Sequence, residues 1–105
     1  ERHLRSSGWT DDISLSVQGM EDEPHFTEIV INGGLNLDVD RMRQDVLRAG
    51  EKLRAKTPDL RAVIFECSNL ATYSADLCEL LGVPVFDTIS TANLLSYAAN
   101  PPRYL

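Results

Sequence analysis

Glu66-Cys67-Ser68-Asn69 follows Ala62-Val63-Ile64-Phe65, a run that is apolar throughout. A thiol, a hydroxyl and an amide placed directly beyond such a run can hold an anion and move a proton. The thiolate is the reactive form of cysteine, and the start of a helix or a neighbouring cation favours it. Ser68 and Asn69 can donate hydrogen bonds without adding a charge that competes for protons. From about Ala71 to Leu81 the pattern reads as a helix, and the free N–H groups and positive dipole end at its start face the same place. A plainer reading stands beside this one. Free cysteine behaves mostly as a small hydrophobe, and serine and asparagine are ordinary helix caps. Spacing alone leaves both readings open.

The other candidates are weaker. Cys78 is eleven residues beyond Cys67, inside the following helix, so roughly 12–15 Å of axial rise separates the two. It is expected to be a packed core thiol and not a second acid/base group. His25 follows Pro24 at a helix start, where a solvent-exposed or capping role is the plain reading. Two cysteines and two histidines do not make a zinc site, because no pair has the close spacing that structural zinc requires. Glu21, Asp22 and Glu23 read as a solvated loop, and Glu66 as either a strand-end surface residue or a neighbour that tunes the thiol. A flavodoxin-like phosphate site would need a glycine-rich strand-to-helix loop, whereas Gly33-Gly34 follows a helix.

The elements that must position Cys67 can be read along the chain. The chain opens as a helix closed by Gly8, and Ile13 to Val17 alternates apolar and polar as a short strand does. Pro24 starts a short helix that stops at Asn32-Gly33-Gly34. Asp38 is placed as an N-cap, and Val39, Met42, Val46, Ala49 and Leu53 recur at the three-four spacing of one buried helical face. Ala62 to Glu66 reads as a central parallel strand covered on both faces. The helix after it buries Leu70, Leu77, Leu80 and Leu81 and ends at Gly82, "VPVF" is a second short strand, and Asp87 or Thr88 caps a last helix that Pro101-Pro102 stops. Alternating strands and helices predict an α/β chain: a three-layer, mostly parallel sheet with ligands beyond the carboxyl ends of its strands.

Composition bounds the function. A chain of 105 residues with 43% apolar content supports one domain, residues 1–105. Sixteen acidic residues against ten basic ones leave a net charge of −6, with no basic stripe for nucleic acid. No run of eighteen apolar residues suggests a membrane span, and the opening residues lack the apolar stretch of a signal peptide, so the expectation is a soluble, cytoplasmic protein with free thiols.

Three stretches carry a resemblance: Gly19 to Phe26 ("GMEDEPHF"), Phe65 to Leu70 ("FECSNL") and Gly82 to Thr91 ("GVPVFDTIST"). Together they are similar to the second lobe of aspartate/glutamate racemase-superfamily proteins, whose relatives include hydantoin racemases, maleate isomerases and arylmalonate decarboxylases. The resemblance implies a cofactor-independent racemase or isomerase lobe, with no pyridoxal phosphate and no metal. It makes Cys67 the acid/base thiol acting on a small carboxylic or amino acid, and Ser68, Asn69 and His25 the substrate-binding residues. It further implies that the chain is one lobe of a two-lobed protein, to be completed by a missing first lobe or by a second copy as a homodimer. The alternative is a non-catalytic module that binds a small acid or dimerises.

Overall fold

The computed structural model describes residues 2–105, with side chains from Leu4 onward. Helix α1 (Arg2–Ser6) is followed by an irregular stretch, then by α2 (Pro24–Phe26), which continues as a π-helical turn over Thr27–Ile31. The long helix α3 (Val39–Lys56) precedes strand β1 (Val63–Ile64), a three-ten turn (Ser68–Tyr73) and α4 (Ser74–Leu81). Strand β2 (Val85–Phe86) and helix α5 (Thr88–Ala99) complete the order.

Helix α3 organises the molecule. Asp38 caps it as its sequence position predicts, accepting hydrogen bonds from the backbone N–H groups of Asp40 and Arg41. Met42, Val46, Ala49 and Leu53 form its buried face, and the chief core cluster joins Met42, Val46 and Leu53 to Phe26, Val63, Leu70, Tyr73 and Leu77. Val39, expected on that face, is exposed. Gly50 faces α4, and a Cβ there would come within 2.3 Å of Leu77 Cδ1, so the two helices approach where α3 has no side chain.

The sheet is much smaller than the sequence suggests. It has two strands, paired in parallel with Val63 opposite Val85 and Ile64 opposite Phe86. The three-layer, mostly parallel sheet is therefore corrected: among the described residues helix predominates, and one β-α-β unit is the whole sheet. The cause is missing cover. Val63 is buried against the helices, but Ile64 is 72% exposed, so the apolar run that resembled a doubly covered strand has cover on one face. Ile13 to Val17 is not a strand either. Its three apolar residues are all exposed, no partner strand lies beside it among the described residues, and the Lys56 ammonium donates to the Val17 carbonyl.

Candidate active site

The carboxyl ends of both strands lead into one pocket. After β1 the chain passes through Cys67 into the three-ten turn, and after β2 it passes through Asp87 into α5. Ser68, Ala71 and Thr72 from the first connection and Asp87, Ile89, Ser90 and Asn93 from the second line a pocket of about 490 Å³. That volume lies in the range of small-molecule sites. Only two strands are present, yet the pocket lies where an open parallel sheet places its ligands.

Asp87 organises the pocket. It is the N-cap of α5 and forms a capping box with Ser90: Asp87 Oδ1 accepts from the Ser90 N–H at 2.7 Å, and the Asp87 N–H donates to Ser90 Oγ at 2.9 Å. Its other oxygen accepts from the Ser74 hydroxyl at 2.5 Å, which ties the first residue of α4 to the start of α5. The Ser74 hydroxyl, followed by the Ser90 N–H, holds the Asp87 carboxyl below the usual carboxylate range against the opposing effect of burial. Asp87 is the sole charged side chain among the described residues lining the pocket. The sequence marked it as a helix cap and as part of the "GVPVFDTIST" stretch, without giving it a role in a site. Thr72, Ser90 and Asn93 went unmarked, because nothing local distinguishes a pocket hydroxyl or amide from a surface one.

Cys67 is half-buried, packed against the edge of the core, and its carbonyl accepts from the Leu70 N–H at 3.1 Å. It is next in sequence to Ser68, which lines the pocket, but does not line it itself. Asn69 is exposed and lies outside the lining. The helix expected from Ala71 begins at Ser74, so the three-ten turn separates the α-helical N–H groups from Cys67. Cys78, expected in the core, is exposed on α4.

His25 belongs to a buried polar network. Its Nε2 accepts from the Asp38 N–H at 2.8 Å, and its Nδ1 lies 3.1 Å from Glu28 Oε2. Buried Asp45 on α3 accepts from the N–H groups of His25 and Phe26, each at 2.8 Å, and pairs with Arg48. Glu23, read from sequence as part of a solvated loop, is buried and pairs with Arg48 and Lys52. Burial works to raise the Glu23 pKa, but the hydrogen bonds and charges of Lys52 and Arg48 outweigh it and hold the carboxyl low. Much of "GMEDEPHF" is thereby accounted for as the joint that fastens α2 to α3. Among the described residues no group of three or more His, Cys, Asp or Glu gathers as metal ligands, and no helix is long and apolar enough to cross a membrane.

The arrangement defines a class of site: a small hydroxyl-lined pocket at strand ends with one carboxylate, and a thiol that is next in sequence to one of the lining residues but outside the lining. Curated relatives narrow it. The chain is 35% identical over 99 residues to dimethylsulfoniopropionate lyase 6 of Emiliania huxleyi (strain CCMP1516), which is 90% of this chain and 25% of that protein. Dimethylsulfoniopropionate lyase 3 of the same organism matches at 35% over 99 residues, covering 90% of this chain and 25% of the relative. The dimethylsulfoniopropionate lyase of Durusdinium sp. clade D is 27% identical over 93 residues, 87% of this chain and 30% of the relative. The chain thus spans about a quarter of the length of the Emiliania relatives. No family model matches the chain, and no solved structure does.

These relatives are named as lyases of a sulfonium carboxylate, and this corrects the racemase reading. The racemase-superfamily resemblance, the isomerase activity by cysteine proton transfer and the racemase-like description all give way to it. The non-catalytic small-acid-binding or dimerising module draws no better support. Short motifs misled because a strand-Cys-Ser junction with a glycine-proline strand behind it defines a local geometry, not a reaction.

Proposed function

We propose that this chain forms part of a lyase that cleaves dimethylsulfoniopropionate or a closely related sulfonium carboxylate, with Cys67 as the base. The observation that carries the reading is the match to lyase 6 over 90% of the chain, which leaves only about ten residues outside and so includes Cys67 through Asn93. The substrate carries a carboxylate, a two-carbon link and a cationic sulfur. Cleavage is an elimination. The Cys67 thiolate takes a proton from the carbon next to the carboxylate, the C–H electrons form the carbon–carbon double bond, and the C–S electrons leave with sulfur. The products are acrylate and neutral dimethyl sulfide, and the proton remains on Sγ until solvent removes it. A single base suffices, so the chemistry requires no second thiol.

The pocket lining suits both ends of such a zwitterion. Asp87 supplies a counter-charge for the sulfonium, and the hydroxyls of Ser68 and Thr72 with the Asn93 amide supply donors for the carboxylate, the Ser90 hydroxyl being committed to the Asp87 carbonyl. Asn69 and His25 remain proposals as substrate contacts, and Asn69, next to Ser68, has the more direct approach. The test replaces the matched segment of Emiliania huxleyi lyase 6 with this chain and measures dimethyl sulfide released from dimethylsulfoniopropionate by headspace gas chromatography. Cys67→Ala is expected to lower the rate by about 10²–10⁴-fold, the usual contribution of a positioned base. Cys78→Ala, changing an exposed thiol on α4, is expected to leave the rate within about twofold, since surface changes are usually small. An active chimera that keeps its rate after Cys67→Ala would sink the assignment.

A further inference from the structure

The chain exposes more surface than its mass requires. Its accessible area is 7963 Å², whereas the scaling of area with mass gives roughly 5,900 Å² for a compact monomer of this size. The excess is about 2,000 Å² on the same scaling. Its radius of gyration, 15.9 Å, exceeds the roughly 13 Å of a compact domain of equal length.

Part of the excess lies on regular elements that normally have cover. Helix α5 has no buried residue, and Ile89, Leu94, Leu95 and Tyr97 on it are exposed, the two leucines by 67% and 66%. From Thr88 to Asn100 there is no charged residue, in a chain that is 25% charged. An exposed helix ordinarily shows solvent a polar face, and one that is apolar on several sides is a buried helix. On the sheet, Ile64 and Phe86 are register partners, lie side by side and are both exposed. Parallel strands ordinarily have both faces covered.

We propose that α5 together with the Ile64–Phe86 face docks against a second polypeptide segment, equivalent to the part of the lyase relatives that lies outside the match. Those relatives are about four times the matched length, which supplies enough chain for the purpose. Only part of the excess lies on this face, so about 4,000 Å², twice the whole excess, is an upper bound on the total area buried, and half of it would still reach the size of a permanent interface. A second copy of this chain fits less well. At about 100° per residue, Ile89, Leu94, Leu95 and Tyr97 point to at least three sides of α5. A two-fold helix pair would cover one stripe of it. Because Ile89, Ser90 and Asn93 also line the pocket, the docked segment borders the site and limits its access to water.

The inference rests on surface and length and not on Cys67, so its test reads protection instead of catalysis. Amide hydrogen exchange is compared between the 105-residue chain alone and the chimera in which it replaces the matched segment of lyase 6. The amides of Thr91 to Ala99 are expected to exchange at least tenfold more slowly in the chimera, and Leu94→Lys with Leu95→Lys is expected to remove that protection. The same pair of changes should leave the circular dichroism of the isolated chain intact, since both side chains are already in solvent. Equal exchange of α5 in chain and chimera overturns the proposal. So does a concentration-dependent dimer of the isolated chain, seen by light scattering, that protects α5 and is lost on the double change, because a second copy is then the occupant.

Discussion

Asp45 shows how one residue can decide local structure. It lies on the buried face of α3, where a carboxylate without partners would be expensive, and it is tolerated because two backbone N–H groups and Arg48 surround it. It caps α2 from twenty residues away. Asp45→Ala would leave the N–H groups of His25 and Phe26 without acceptors, at about 1–3 kcal/mol for each buried group. The expected result is a lower urea midpoint with an unchanged slope, and Asp45→Asn, which keeps one acceptor oxygen, should lose less. An unchanged midpoint in Asp45→Ala would mean that α2 is held by apolar contact alone. His25 and Glu23 belong to the same joint; the sequence offered a capping role for His25 and a solvated loop for Glu23, and the joint itself was not legible because their partners on α3 lie more than a dozen residues later.

At the scale of elements, the contact of α3 with α4 turns on Gly50. Alanine is about 1 kcal/mol better than glycine inside a helix. Here the added methyl meets the Cδ1 of Leu77, which is 2% exposed, so that side chain has to shift within a filled core. Overpacking of this kind typically costs about 1–3 kcal/mol. Gly50→Ala is therefore expected to destabilise the fold slightly despite its better propensity, by chemical denaturation, and Leu77→Val should make the same change neutral or favourable. A stabilising Gly50→Ala in the unaltered background would show that α4 yields. The helices themselves were legible. Asp38, the three-four spacing after it and Gly82, which adopts a φ of +66° and whose N–H bonds to the Cys78 carbonyl, are local signals that the structure keeps. Both strands contracted to two residues because strand length depends on a neighbour, which no local pattern supplies.

For the molecule as a whole, acid weakens the joints that carboxylates hold. Glu23, Asp38 and Asp87 all have carboxyls held below their usual range: Glu23 by Lys52 and Arg48 against burial, Asp38 first by the Arg41 N–H, and Asp87 first by the Ser74 hydroxyl. A lowered pKa in the folded state means that the unfolded chain binds protons first as pH falls. The stability these groups contribute is complete above the ordinary carboxylate range and is lost as pH drops through it toward the lower folded values. Thermal midpoints should therefore decline below about pH 5, and Glu23→Gln should flatten part of that decline. A midpoint that stays constant from neutral pH into this acid range would contradict the account.

The sequence alone determined the helices, their caps and the position of Cys67 after the first strand, since each depends on residues within a few positions of one another. Only the tertiary structure decided that the sheet has two strands, that Asp87 and Ser90 meet Ser68 and Thr72 around one pocket, and that α5 is left bare. Those outcomes depend on which surfaces find cover, and cover comes from residues far along the chain, where no local pattern reaches.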